Sequence, residues 1–168
     1  MHLAYLLSVF LHILCAITWV GGMVMLMLVI VPWLRRGERA KAAAILRETG
    51  TRLRNIGWIC FVLLAITGTY NLWVRGVRLA SFANPDFLRS PLGRAVCYKL
   101  GLFLLIVVVS ALHDFWIGPR ASALLEAQTQ SKEAEIWRRR AGRMGRINAL
   151  LALLIVFAGV ALVRGLPW

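Results

Sequence analysis

The chain has 168 residues, of which 60% are hydrophobic, and its mean hydropathy of +0.74 excludes an ordinary soluble domain of this length. Its formal net charge of +13, from 20 Lys and Arg against 7 Asp and Glu, would suit a nucleic-acid-binding protein. The basic residues instead lie between long apolar runs, as in an integral membrane protein, and no other feature favours nucleic acid as a partner.

Four apolar runs predict membrane-spanning helices, and each reaches or approaches the ~20 residues that cross a bilayer. These runs cover residues 3–34, 56–74, 95–118 and 147–163. The sequence therefore predicts an all-α polytopic membrane protein, with residues 1–168 forming one domain. We expect an antiparallel bundle of four transmembrane helices. The segments 37–55 and 121–146 have helical composition and should form cytoplasmic extensions of the bundle.

The distribution of Lys and Arg predicts the orientation of the bundle. Segments 35–54 and 120–146 carry seven basic residues each and must share one side of the membrane, whereas the remaining six lie near the other side. The positive-inside rule places both segments in the cytoplasm and both termini outside. We therefore expect a multi-pass protein of the bacterial inner (plasma) membrane, whose basic side has affinity for anionic lipid.

The first span contains the best candidate for a functional residue, His12. A histidine within a membrane span is costly and usually functional. Ser8, His12, Cys15 and Trp19 follow the spacing of one helix face, which should point into the bundle. Neutral imidazole binds metal ions and haem iron, so His12 is a candidate ligand, and Trp19 either flanks a flat cofactor or fills the bundle. The alternative for His12 is a hydrogen-bonded interior histidine.

Sulfur-containing side chains are also found in the spans. Cys15, Cys60 and Cys97 form no C-x-x-C arrangement and are interpreted as small buried hydrophobic residues. A Met-x-Met-x-Met string covers residues 23–27, and thioethers favour Cu(I). On a helix this spacing directs the three sulfur atoms to different faces, so membrane packing is the preferred interpretation.

The second span ends in a polar cluster, in which Thr67 and Asn71 are one helical turn apart. Their side chains can face the bundle, where they either tie helices together or contribute to a site. In the following connection, Asn84-Pro85 predicts a turn, and Ser90-Pro91 predicts the start of a helix.

The third span carries Lys99 and His113 on one face, about 21 Å apart along the helix axis (fourteen residues at ~1.5 Å each). Lys99 shares the outer half of the bundle with His12. It either snorkels to the interface or pairs with an anion, such as a haem propionate or a carboxylate-bearing substrate. His113 lies nearer the cytoplasm, so the two histidines should lie at different depths in the membrane. Two separate sites fit this geometry more easily than one haem that is bound by both histidines.

The inner end of the third span has an adjacent histidine and carboxylate. His113-Asp114 is expected to pair with Arg120 or Arg146, as a proton-handling group or a structural clasp. Further on, Glu135 is four residues before Arg139 and should form an ion pair with it. The fourth span has few distinctive residues and completes the packing.

Short motifs in three spans resemble the copper-resistance D (CopD) family. They are His12-x6-Trp19-x-Gly21-Gly22, Thr67-Gly68-x-Tyr70-Asn71, and Lys99-Leu100-x-Leu102-Phe103 followed by His113-Asp114-Phe115 and Gly118-Pro119-Arg120. The resemblance covers nearly the whole chain. It implies an inner-membrane protein that is linked to copper uptake or tolerance and is partnered by a periplasmic copper protein.

A first-helix histidine, a tryptophan seven residues later and a third-helix lysine are also similar to the HemJ-type protoporphyrinogen oxidases. That resemblance implies a b-type haem and the oxidation of a tetrapyrrole precursor. It makes a haem-dependent oxidoreductase the enzymatic alternative to a non-enzymatic copper protein. A structural membrane subunit is the third alternative.

These resemblances imply a copper-associated membrane protein without enzymatic activity, with copper or haem b as the bound group. The metal ligands are predicted to be His12 and His113. The candidate cofactor-binding residues are His12, Trp19, Lys99 and His113. The expected partners are membrane lipid, the periplasmic copper protein and a second copy of the chain.

Overall fold

In the computed structural model, the structure describes residues 2–34, 39–127 and 131–164, and these residues are almost entirely helical. No β-strand occurs within these ranges. The α-helices are α1 (His2–Met25), α2 (Val31–Leu34), α3 (Arg39–Val74), α4 (Pro85–Arg89), α5 (Pro91–Leu112), α6 (Gly118–Glu126) and α7 (Lys132–Arg164).

Four helical segments are long and apolar enough to cross a membrane, namely His2–Trp33, Ala44–Val74, Pro91–Leu124 and Lys132–Val160. The prediction of an all-α polytopic protein with four transmembrane helices is thereby confirmed. The helices are longer than the apolar runs because α3 and α7 continue without a break into the basic segments, where Ala, Arg, Lys and Glu have high helix propensity.

Two π-helical turns interrupt the spans, and each ends two residues before a proline. Leu26–Ile30 precedes Pro32, and His113–Ile117 precedes Pro119. A proline inside an α-helix lacks the N–H group, and its ring collides with the carbonyl four residues earlier. The wider turn relieves this collision, so that the helix continues past each proline.

The spans pack mainly as two pairs, α1 against α3 and α5 against α7, with further contacts between α1 and α7. Because successive spans alternate in direction, the start of α1, the end of α7 and the connection 75–90 lie at one end of the bundle, here called the terminal end. The opposite end, where α3 and α7 begin, is called the basic end.

Small and aromatic side chains fill the centre of the bundle. The core cluster comprises Cys15, Trp19, Cys60, Phe61, Leu64, Ile106 and Ala152. The outward faces are largely apolar as well, including Phe10 and Ile17 of α1 and Phe157 of α7, each more than 60% exposed. A surface of this kind is suited to lipid rather than water.

Capping fixes the connection at the terminal end, as the sequence predicts. The Asn84 side chain accepts a hydrogen bond from the backbone N–H of Asp86 at the start of α4. The Ser90 side chain accepts one from the N–H of Gly93 at the start of α5. Gly93 lies so close to Phe87 that a Cβ atom there would overlap the Phe87 carbonyl.

Candidate functional site

His12 lies between α1 and α3, where Thr67 determines its hydrogen bonding. The Nδ1 atom of His12 is 2.8 Å from the hydroxyl oxygen of Thr67. That hydroxyl donates to the carbonyl of Leu63, one turn earlier in α3, over 2.6 Å. Because a hydroxyl has only one proton, its oxygen must accept from His12. The imidazole proton is therefore assigned to Nδ1, and Nε2 keeps an unprotonated lone pair.

The imidazole is closely held by its neighbours on α3. A Cβ atom on Gly68 would come within 3.3 Å of the Cε1 atom of His12, so a larger residue there would crowd the ring. Thr67 itself is buried, whereas His12 is half-buried. The Nε2 atom makes no hydrogen bond to any residue that the structure describes. An oriented imidazole with a free lone pair is thus present inside the bundle.

Trp19 occupies the core, two turns from His12 on the same face of α1. Its ring meets the edge of the Phe61 ring at a centroid distance of 4.9 Å. Gly57 makes room for it on α3, since a Cβ atom there would lie 3.3 Å from the Trp19 ring. Trp19 is therefore placed as a packing residue below His12, with its ring surrounded by core side chains.

Lys99 extends from α5 towards α7 in the half of the bundle that also holds His12. A Cβ atom on Gly159 would lie 3.8 Å from the Nζ atom of Lys99. The ammonium group is close enough to interact electrostatically with His12 and with Arg75. Within the described ranges it forms no hydrogen bond or ion pair with a carboxylate.

His113 and Asp114 form a separate polar group within the second π-helical turn. The Nδ1 atom of His113 is 3.0 Å from one carboxylate oxygen of Asp114, and Trp58 donates its indole N–H to the other over 3.1 Å. The prediction that an arginine pairs with His113 and Asp114 is wrong, because the carboxylate of Asp114 is bonded to His113 and Trp58. The Arg120 guanidinium lies over the rings of Trp116 and Trp137, and Trp58 takes the predicted place of an arginine beside Asp114.

The structure keeps the two histidines apart. His12 is bonded to Thr67, whereas Asp114, next to His113, is bonded to Trp58. Nine residues separate Thr67 and Trp58 on α3, which corresponds to about 13 Å along the helix axis. The aromatic core lies between these two levels. Within the described ranges, no three His, Cys, Asp or Glu side chains come together as a metal-binding group.

Asn148 makes polar contacts that connect three helices, α1, α5 and α7. The Nδ2 atom of Asn148 on α7 donates to the hydroxyl of Ser110 on α5 over 2.9 Å. The same atom is 3.7 Å from the sulfur of Met23 on α1. Of the Met-x-Met-x-Met string, Met23 is thus the member with a polar contact in the bundle, whereas Met25 is exposed.

Comparison with known proteins identifies the family of the chain. The family model described as copper resistance protein D matches residues 47–162, which include α5 and most of α3 and α7 but not His12. An uncharacterized protein of Aquifex aeolicus (strain VF5) is 31% identical over 160 residues, which cover 95% of both chains. No solved structure is significantly similar to the chain.

Proposed function

The chain belongs to the copper resistance protein D family, and from this membership we propose that it binds copper within the membrane through the Nε2 atom of His12. The cellular role that we propose is copper uptake or tolerance. In this role copper is the cargo of a multi-pass membrane protein. We also propose that the membrane is the bacterial inner membrane, with both termini outside.

The arrangement of hydrogen bonds around His12 and Thr67 is the observation that carries this proposal. A neutral imidazole is a good ligand for copper when one nitrogen is unprotonated and the other donates a hydrogen bond that orients the ring. The hydrogen bond from Nδ1 to Thr67 meets this requirement, and Nε2 is the nitrogen left for the metal. A histidine with a purely structural role would be expected to use both nitrogen atoms, because buried polar atoms are nearly always hydrogen-bonded.

The single imidazole also indicates how copper would be held. No other His, Cys, Asp or Glu pair completes a three-donor group with His12 in the described ranges. The remaining coordination positions would be filled by water or by donors of a partner protein. An incomplete site favours transfer of copper over storage, which fits a periplasmic copper protein as the partner.

Titration of the detergent-purified protein with Cu(II) tests the proposal. Every variant carries His2→Ala, because an N-terminal amine next to His2 would bind Cu(II) by itself. We expect an electron paramagnetic resonance spectrum with nitrogen hyperfine structure for the parent protein and for His113→Ala, the matched control. We expect this signal to be lost in His12→Ala. A His12→Ala variant that keeps the signal would contradict the proposal.

A b-type haem protein is the second candidate, and Lys99 is the observation that favours it. An unpaired ammonium group near a free imidazole nitrogen could meet a haem propionate while His12 serves as an axial ligand. Bound haem would supply redox chemistry, and these residues would hold and orient it. Haem fits this space less well than a single copper ion does, because Cys15, Trp19 and Phe61 fill the space below His12.

The absorption spectrum distinguishes the two candidates. We expect purified protein without a Soret band, both as isolated and after incubation with haem. A Soret band that is present in the parent protein and absent in His12→Ala would favour the haem protein instead.

A further inference from the structure

Three consecutive arginines of α7 differ in their partners. Arg138 and Arg139 both form ion pairs with the carboxylate of Glu135, the latter through Nε over 2.7 Å. Arg140 is not part of this group. Its guanidinium carbon lies over the ring of Trp137, 5.1 Å from the ring centroid. The third arginine of the run is therefore held by an aromatic ring rather than by an acidic side chain.

Arg120 of α6 meets the same indole ring from another helix. Its guanidinium carbon is 5.1 Å from the centroid of Trp137 and 5.4 Å from the centroid of Trp116, which lies one turn earlier. Arg120 and Arg140 are thus within about 10 Å of each other, a separation at which like charges repel. Neither forms an ion pair with a carboxylate in the described part of the chain. A bound anion would relieve the repulsion between them.

The way in which the two guanidinium groups are held indicates what kind of anion they can bind. Stacking on an indole ring uses the face of a guanidinium group, whereas its N–H groups lie in the plane and remain able to donate hydrogen bonds. Phosphate oxygens accept from such a planar set of donors in pairs, and a side chain that is already held by a ring loses less entropy on binding. The two arginines are therefore suited to a phosphate group.

The position of the arginines along the bundle indicates where this phosphate comes from. Arg120 follows Pro91, the first residue of α5, by 29 residues, or about 43 Å at ~1.5 Å each. This length matches the ~40–45 Å of a bilayer with its headgroups, so Arg120 lies at headgroup level. Towards the membrane centre, the apolar side chains of Trp116, Leu112 and Val108 are 56%, 44% and 47% exposed. A ligand with acyl chains as well as a phosphate fits this surface.

We propose that Arg120 and Arg140 bind the phosphate of one anionic phospholipid, such as phosphatidylglycerol, and that Trp116 and Trp137 position the two guanidinium groups. This is a single saturable site, unlike the general attraction of a basic surface to a charged membrane. A phosphatidylcholine headgroup carries an additional cation, which the two arginines repel, so the site prefers the anionic lipid. The proposal does not depend on copper.

Titration of the detergent-purified full chain with phosphatidylglycerol, with bound lipid counted by native mass spectrometry, tests the site. The variant is Arg120→Gln with Arg140→Gln. The matched control is Arg138→Gln with Arg139→Gln, which removes the same charge from the same end of the bundle. We expect one tightly bound lipid per chain in the parent protein and in the control, and an affinity lower by about 10-fold or more in the variant. Phosphatidylcholine should bind the parent protein at least about 10-fold more weakly than phosphatidylglycerol does.

Several results would overturn the lipid site. One is an equal loss of affinity in the two double variants, which would show that only the total charge matters. Another is a parent protein that binds both lipids equally or binds neither in a saturable way. Circular dichroism verifies that each variant is folded. If the variant with two substitutions does not fold, Arg120→Gln and Arg140→Gln are measured singly, and parent-like binding in both contradicts the proposal.

Competition with soluble phosphates identifies the source of the phosphate group. We expect inorganic phosphate and glycerol phosphate, at millimolar concentration, to leave the bound phosphatidylglycerol in place, because neither has acyl chains to cover the exposed apolar side chains. Displacement of the lipid by either compound at the concentration of the lipid itself would show that the arginines bind a soluble phosphate, and the assignment to a phospholipid would be wrong.

Discussion

Thr67 donates its hydroxyl proton within its own helix, to the Leu63 carbonyl, and this leaves its oxygen to accept from His12. A side-chain hydroxyl that bonds back to the preceding turn is common in transmembrane helices. Here it has a second effect, because it determines which imidazole nitrogen carries the proton. The availability of Nε2 for a metal is therefore a property of two residues on different helices.

Thr67→Val should weaken copper binding at His12 by about 10- to 100-fold, the usual cost of removing the group that orients a metal-binding histidine. Valine keeps the shape of the side chain but cannot accept the Nδ1 proton. Thr67→Ser, which keeps the hydroxyl, is the control and should stay within a few-fold of the parent protein. Isothermal titration with Cu(II) provides the measurement, and equal affinities for the valine and serine variants would refute the assigned role.

Gly68→Ala should disturb the same imidazole from the side. The new methyl group would lie 3.3 Å from Cε1, so the ring must move by a few tenths of an ångström and strain its 2.8 Å hydrogen bond. Gly101→Ala is the matched control, because a Cβ there meets nothing within 4 Å and the helix gains about 1 kcal/mol in propensity. We expect Gly68→Ala to be less stable than Gly101→Ala by about 1–3 kcal/mol in detergent unfolding followed by circular dichroism. A stabilised Gly68→Ala variant would show that the ring is not confined.

At the scale of elements, the two π-helical turns allow the spans to continue past Pro32 and Pro119 without a break. The second turn also contains His113 and Asp114, so the residues after it are rotated relative to an uninterrupted α-helix. Asp114 lies within the turn and accepts a hydrogen bond from Trp58 on α3, whereas Arg120 follows the turn and packs on the rings of Trp116 and Trp137. The hydrogen bond joins the pair α1–α3 to the pair α5–α7.

Trp58→Phe removes the donor to Asp114 and leaves most of the aromatic packing in place. We expect a loss of about 1–3 kcal/mol in the free energy of unfolding, since a carboxylate then lacks one of its two hydrogen-bond partners. Trp33→Phe is the control, because Trp33 is 64% exposed and should change stability by less than about 0.5 kcal/mol. Unfolding in mixed micelles measures both variants, and equal stabilities would show that the Trp58–Asp114 hydrogen bond contributes nothing.

The sequence predicts single helices better than the contacts between them. The spacing of Ser8, His12, Cys15 and Trp19 correctly identifies the inward face of α1, since Cys15 and Trp19 are buried. The partners on α3 do not follow from it, because a shift of one turn between two helices leaves each helical pattern unchanged. For this reason Thr67 could be recognised as part of a polar cluster but not as the hydrogen-bond acceptor of His12.

The burial of the cysteines was predicted correctly only in part. It is confirmed for Cys15 and Cys60, whereas Cys97 is half-buried. The arginine predicted beside Asp114 was wrong because the π-helical turn changes the direction of the side chains that follow it. A proline near the end of an apolar run predicts a disturbed helix, but not whether the helix ends, kinks or forms a π-helical turn.

For the whole molecule, the charge distribution predicts the orientation in the membrane. The basic end carries seven Lys and Arg in each of the segments 35–54 and 120–146, and the remaining six lie near the terminal end. We expect alkaline phosphatase fused after residue 168 to be active, because the enzyme folds only outside the cytoplasm. Green fluorescent protein at the same position should be dark. A fluorescent fusion without phosphatase activity would reverse the predicted orientation and place His12 in the cytoplasmic half.

The helix α1 packs chiefly on α3, and the His12–Thr67 hydrogen bond lies in this interface. Sliding of α1 by one turn would break this hydrogen bond and release the imidazole ring. A copper ion bound at Nε2 needs the ring in the orientation that Thr67 gives it, so its binding energy would oppose any such sliding. By reciprocity, a partner that pulls α1 away from α3 lowers the affinity for copper by the same factor. Copper would then be bound while α1 is packed on α3 and released when α1 moves away from it.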